Sequence, residues 1–148
     1  MRRGVDTNVL IYAHISESPQ HEAVRSHLLG QLALDDVTLV VTPNILHEFL
    51  HIVTDARRFD PPVSMKDAVG VVRGYLDRAN VECLSVDELS LVRALDLLEH
   101  HQLGRKRIAD TLFAASLLNH GVRELITCNT TDFKVFEELT IIDPRVEG

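Results

Sequence analysis

In this chain of 148 residues one pentapeptide and a scatter of acids have the types and spacing to do chemistry. Residues 47 to 51, within TPNILHEFLHIVTDARR, read His-Glu-Phe-Leu-His and match the H-E-x-x-H pattern. In zinc peptidases that pattern puts two imidazoles on one helix face with a glutamate as general base. Projected at about 100° per residue, Ile45, Leu46, Phe49, Leu50 and Val53 form the buried stripe of such a helix. His47 and His51 then fall almost opposite the core, and Glu48 falls on the rim where core meets solvent. A peptidase needs both imidazoles in a cleft and a third protein ligand, and none follows downstream. Solvated histidines beside a glutamate with another task are the better reading.

The other acids show what that task is. Asp6 in VDTNVLIYA sits where the first expected strand ends and a helix begins, and in open α/β sheets the carboxyl ends of strands are where ligand sites form. Glu48 lies in the second turn of the helix after the second strand, near the same edge. Asp110 in RIADTLFAASLL opens a helix that is apolar nearly all round, and a carboxylate there must be paired or must coordinate something. Asp132 in TCNTTDF follows the strand ending at Thr127. Each has an ordinary explanation: Asp6 as an N-cap, Glu48 as a surface acid, Asp110 held by the helix dipole and Arg105 or Arg107, Asp132 in an Asx turn. Together, the four converge on one sheet edge, and like charges held together need a cation. Oxygen-only donors select Mg²⁺ or Mn²⁺ over zinc. Such ions activate water and stabilise charge on a phosphodiester, so the chemistry implied is phosphodiester hydrolysis.

The elements that must position these acids alternate short apolar runs with helical periods, the pattern of an α/β domain with a mainly parallel sheet. Strands are expected at 3–5, 37–42, 81–86, 122–127 and near 141–142. Helices are expected from Asn8, from Pro19 to Leu32, from Pro43 toward the Pro61-Pro62 break, and from a Ser64 cap to about Ala79. Further helices follow from an Asp87 cap to about Gly104, with Leu91, Ala94, Leu95 and Leu98 as the apolar stripe, from Arg107 to Asn119 with Gly121 closing it, and near Val135. The segment CNTTDF reads as a loop. Residues 1–148 read as a single domain.

Hydrophobic residues make up 45% of the chain, enough for one sizeable core. The formal net charge of −7 argues against bulk adhesion to nucleic acid or anionic lipid, but leaves room for local basic patches at Arg57-Arg58 and Arg105-Lys106-Arg107. The second of these, just before Asp110, could hold backbone phosphates or simply be a solvated loop. The opening MRRGVDTNVLIYAH is too short an apolar run to span a bilayer and lacks a cleavage site, so no membrane association is expected. Cys83 and Cys128 form no C-x-x-C, and a cytoplasmic location fits.

VDTNVLIYA, NILHEF, IADTLFAA and ITCNTTDF, in this order and spacing, resemble the motifs of PIN-domain ribonucleases, in particular the VapC-type toxins of prokaryotic toxin–antitoxin modules. The resemblance spans essentially the whole chain. It implies a PIN-like three-layer fold with helices flanking the central sheet. It also implies a Mg²⁺- or Mn²⁺-dependent endoribonuclease acting on RNA, a homodimer, and an antitoxin whose tail occupies the acidic groove. By position, Asp6, Glu48 and Asp110 match the family's three core acids and Asp132 the fourth, more variable one. Thr7 and Thr127 match its hydroxyl positions, and Asn129 stands where some members carry an acid. The resemblance thus makes Asp6 and Asp110 direct metal ligands, Glu48 the group that holds or deprotonates the attacking water, and Asp132 the residue completing the set. Two other classes remain for comparison. Asp6-Thr7-Asn8-Val9 also resembles the start of haloacid-dehalogenase-like phosphatases, but these favour a second acid where Asn8 stands. A non-catalytic PIN-like binding module would have no need of intact acids at all four places.

Overall fold

The computed structural model describes residues 1–146. Its sheet is built from β1 (Arg2–Val5), β2 (Thr38–Val41), β3 (Val81–Cys83), β4 (Glu124–Ile126) and β5 (Thr140–Ile142), in the order β3-β2-β1-β4-β5. Every pairing is parallel. All five strands therefore point their carboxyl ends the same way. The chain lays down β1 to β3 in one direction, then returns to place β4 on the other side of β1, so the strand order reverses between β1 and β4. Side chains at the ends of those two strands flank the crevice where α/β sheets bind ligands.

Among the described residues seven α-helices connect the strands, α1 (Thr7–His14), α2 (His21–Leu32), α3 (Pro43–Val53), α4 (Met65–Leu76), α5 (Glu88–His100), α6 (Ile108–Asn119) and the single turn α7 (Thr130–Phe133), with a 3-10 turn at Arg105–Arg107 leading into α6. Helix α1 packs on α2 and α3, α3 on α4, and α5 on α6. Their starts follow the capping chemistry in the sequence. Thr42, Ser64 and Asp87 each accept a hydrogen bond from the backbone N–H three residues on, and Pro43 occupies the first turn of α3. Gly121 ends α6 with φ 76°, a conformation glycine adopts without steric cost.

The core is mainly aliphatic and aromatic. Val5, Val9, Leu39, Val40, Phe49, Leu117, Leu125, Ile126 and Phe133 are all at most 2% exposed, and each contributes about 1.5–3 kcal/mol by burial. Gly4 lets α6 approach the sheet closely, because a Cβ there would lie 2.6 Å from Cδ1 of the fully buried Leu117. That contact fixes the height of α6, and with it Asp110, over β1.

Several boundaries differ from expectation for local reasons. Helix α3 stops at Val53 instead of running on to the prolines. The Thr54 hydroxyl there donates to the Leu50 carbonyl at 2.7 Å, and Asp55 accepts from the Arg57 N–H at 2.9 Å in an Asx turn. Asp55 also pairs with Arg57 and Arg58, which partly neutralises that basic patch. Strand β3 covers only Val81–Cys83, not 81–86, and the loop expected at CNTTDF holds α7, so the short helix expected near Val135 lies earlier in the chain. On α5 the apolar stripe is rotated. Ser90 and Ala94 are buried while Leu91 and Leu95 are 49% and 55% exposed, because small residues make the face on which α5 meets α6. No helix of the described residues is long and apolar enough to cross a membrane.

Candidate active site

Asp6 is the first residue beyond β1, and its N–H donates to the carbonyl of Ile126 at the end of β4 (3.0 Å), which ties it into the switch-point crevice. It is 5% exposed. Its extended backbone makes it the N-cap of α1, as the ordinary reading of an aspartate there requires. The cap does not exhaust the carboxylate. Oδ1 accepts from the Thr7 N–H (2.8 Å), and Oδ2 accepts from the Thr127 hydroxyl (2.8 Å) and the Asn8 amide (3.1 Å). Three donors hold the group rigidly and leave lone-pair capacity facing the crevice.

Asn8 is the residue that the sequence reading passed over. Its Nδ2 reaches both Asp6 and the Thr127 hydroxyl (3.4 Å), and its Oδ1 accepts from the Cys128 N–H (3.0 Å), so it splints the loop after β4 to the start of α1. The available signal was an asparagine, a weak helix former, in a first helical turn two residues beyond a strand-end aspartate.

Asp6, Glu48 and Asp110 border one cavity of about 40 Å³, with Thr42, Asn44, Val86 and Phe113 among its other walls. That is room for an ion with a water or two, but not for a nucleotide. Glu48 reaches it from the second turn of α3, six residues beyond the Thr42 cap. Asp110 reaches it from the first turn of α6. His47 and His51 face solvent on α3, with ring planes 9° apart and centroids separated by 6.1 Å. The helical projection of the pentapeptide therefore holds: the glutamate borders the cleft and the histidines do not.

Electrostatically the cleft is short of positive charge. Burial pushes the Asp6 carboxyl above its usual range, against the pull of its Thr127, Thr7 and Asn8 hydrogen bonds, and the charge of Glu48 adds to the rise. Asp110 is pushed up to about 6, first by burial and then by the charge of Asp6, with Arg107 opposing and Asp132 reinforcing. Glu48 is raised by burial and by Asp110, although much of the residue is open to solvent. The Thr7 hydroxyl lies near enough to hold Glu48 down slightly, yet it is buried and has no partner of good hydrogen-bond geometry. Three carboxyls that raise one another, and a buried hydroxyl without a partner, form an all-oxygen donor set suited to a hard dication. Among the described residues no three His, Cys, Asp or Glu side chains are already drawn into a metal cage. The carboxylates thus border a shared cavity without closing on its centre.

Asp132 stands outside that cavity, on α7, with its side chain 42% exposed. It accepts from the Asn129 amide at 2.9 Å and lies 3.9 Å from Arg107, and Arg107 also donates to the Asp132 backbone carbonyl. Asn129 in turn donates its N–H to the Thr127 hydroxyl (2.9 Å), so the β4 loop is hydrogen-bonded from Asp6 to Asp132. The basic run is divided. Arg105 and Lys106 are exposed, whereas Arg107 turns inward to Asp132 and leaves its Nε buried without a partner. Arg107 is not in ion-pair contact with Asp110. Cys128 is half-buried, and burial pushes its thiol up to about 11, which leaves little thiolate at neutral pH.

Comparison with known proteins matches the geometry. Residues 5–139 fit the model of the PIN domain family. The chain is 33% identical to Ribonuclease VapC33 of Mycobacterium tuberculosis, over 96% of its own length and 97% of that protein's. Among solved structures, VapBC2 from Rickettsia felis, bound to a DNA fragment from its promoter, superposes with a TM-score of 0.69 at 17% identity, covering 96% of this chain and 98% of the other. VapC20 of M. tuberculosis, described as a sarcin–ricin loop cleaving toxin, superposes with a TM-score of 0.64 at 14% identity over 83% of this chain and 86% of that one. At such identities the structures speak to the fold.

Proposed function

The chain belongs to the PIN domain family, and from that membership we propose that it is a metal-dependent endoribonuclease and the toxin of a toxin–antitoxin pair. The observation that carries the proposal is the meeting of Asp6, Glu48 and Asp110 at the switch point of the sheet, in an ion-sized cavity where each carboxyl raises another. Near-full-length similarity to a VapC ribonuclease supports the choice of RNA and of a toxin–antitoxin setting.

In this reading Asp6 and Asp110 hold Mg²⁺ or Mn²⁺. The ion, when bound, neutralises the carboxylates and stabilises negative charge on the phosphodiester as it is displaced. Glu48 accepts a proton from the attacking water, a task suited to a carboxyl raised by burial and by Asp110. The water oxygen then bonds to phosphorus as the bond to the leaving ribose oxygen breaks, and that oxygen takes a proton from solvent. Thr127, Asn8 and the Thr7 N–H keep Asp6 in place, while Thr7 offers its unpartnered hydroxyl to the cleft. Asp132, held by Asn129 and Arg107, adds negative charge at the mouth and completes the set. Arg105 and Lys106 are the cations left exposed to meet RNA phosphates.

The partners follow: an RNA substrate, an antitoxin that blocks the cleft, and a second copy of the chain. For that copy the exposed Leu91, Val92 and Leu95 of α5 supply apolar surface. The testing experiment incubates purified chain with RNA and Mg²⁺ or Mn²⁺. Cleavage is expected, together with its loss in EDTA and on adding the product of an adjacent small reading frame. Cleavage that survives chelation after removal of contaminating nucleases would overturn the proposal.

A further inference from the structure

The H-E-x-x-H pentapeptide is absorbed by the proposed function only at Glu48, and its two histidines have a geometry of their own. His47 and His51 lie one turn apart on α3, exposed, with rings nearly parallel. Among the described residues neither ring makes a hydrogen bond that would hold its orientation. Both border the same open depression, beside Pro43, Asn44 and Ala109, and Glu48 borders it too. Glu48 is thus shared between this depression and the acidic cleft.

We infer that His47 and His51 form a binding site for a zinc-class transition-metal dication, and that filling it draws Glu48 out of the acidic cleft. Two imidazoles on a tetrahedral Zn²⁺, with Zn–N of about 2.0–2.1 Å, have ring centroids about 5 Å apart. The rings here stand 6.1 Å apart with planes 9° from parallel, so each must turn to aim a nitrogen at a shared ion, and neither is held back by a hydrogen bond. Imidazole nitrogen selects zinc, copper or nickel, whereas the carboxylate oxygens of the cleft suit Mg²⁺ or Mn²⁺, so the two sites take different ions. The remaining positions of the transition metal are open to water and, once its side chain turns from the cleft, to the Glu48 carboxylate, which is not gathered with the two imidazoles as they stand. A glutamate so engaged no longer accepts a proton from the attacking water. The site is inhibitory and not peptidolytic, since no third histidine and no substrate-binding strand accompany it. The binding part stands on geometry alone, and the inhibitory part rests on the endoribonuclease reading.

The test uses the full-length chain without a histidine tag, in millimolar Mg²⁺ to occupy the carboxylates. Zn²⁺ is titrated against a chromophoric chelator, and Co²⁺ is followed by its visible absorption. One equivalent with micromolar affinity is expected, weakened at least about tenfold by His47→Ala and by His51→Ala. Affinity unchanged in both variants would overturn the site. In the RNA cleavage assay the same Zn²⁺ concentrations should slow the wild type at least about tenfold and leave the double histidine variant active. Equal inhibition of that variant would mean zinc acts in the carboxylate cleft, and would overturn the inhibitory part. A chain that cleaves no RNA would overturn the proposed function and the inhibition with it, while the titration still decides whether the histidines bind metal.

Discussion

Asp110→Asn separates a metal site from a structural ion pair, because the two respond with opposite sign. In the folded chain the Asp110 carboxyl is raised from 3.8 to about 6. At about 1.4 kcal/mol for each tenfold change in proton affinity, its ionised form is disfavoured by at most about 3 kcal/mol. Partial exposure and screening reduce this to about 1–2 kcal/mol. The sign follows from linkage. The folded state binds the proton more tightly than the unfolded state, so this contribution to stability is full below pH 3.8 and is lost as pH rises through about 6. At pH 8 in EDTA the asparagine removes the penalty but also the favourable charge in the first turn of α6, worth about 0.3–1 kcal/mol. A net gain near 1 kcal/mol remains, a rise in Tm of about 2–4 °C for a chain of this size. At pH 5 the difference should shrink. Mg²⁺ or Mn²⁺ at about a hundred times its dissociation constant should stabilise the wild type by about 2.7 kcal/mol and the variant much less. Thermal melts of both proteins, in EDTA and in metal, at pH 5 and pH 8, read all of these. A variant that melts lower in EDTA at pH 8, beside a wild type indifferent to metal, would make Asp110 the structural partner of Arg107 and refute the reasoning.

Other perturbations probe separate parts of the site. Glu48→Gln should nearly abolish RNA cleavage, whereas His47→Ala with His51→Ala should leave it within about threefold of wild type in zinc-free buffer, since the histidines face solvent; a double variant without activity would contradict the helical placement. Thr127→Val keeps the shape of the side chain but removes the 2.8 Å donor to Asp6, and Mn²⁺ affinity followed by electron paramagnetic resonance should fall about 10–100-fold. Unchanged affinity would mean that the Asp6 orientation is set elsewhere. Gly4→Val should cost about 1–3 kcal/mol in urea unfolding, because the new side chain meets Leu117 within the packed core. No loss would show that α6 can shift from β1.

The cleft could be read from the sequence because its three acids sit at places that local rules define. Asp6 directly follows the short first strand, Glu48 falls on the rim of a clear helical stripe, and Asp110 breaks an otherwise apolar helix. Parallel strand polarity then brings those places to one edge. What could not be read depended on tertiary pairing. Arg107 belongs to a basic run that reads as uniformly solvated, and only the fold turns it inward to α7 while Arg105 and Lys106 stay out. Asp132 lies close in sequence to Thr127, yet the turn of α7 carries it out of the cavity. On α5, periodicity finds the helix but not its buried side, since Ser90 and Ala94 pack on α6 more closely than the leucines beside them could. Asn8 was visible as a helix start, but its second contact, with Cys128, is 120 residues away.

The most direct test of the central claim, that Asp6 and its neighbouring carboxylates hold the ion that cleaves RNA, is one cleavage assay on wild type and Asp6→Asn purified side by side. Each is stripped with EDTA, then supplied with Mn²⁺ or Mg²⁺. The wild type should cleave RNA only after metal is restored, and Asp6→Asn should stay inactive at every metal concentration while melting as a folded protein. Equal cleavage by both proteins, or wild-type cleavage that persists in EDTA, would contradict it.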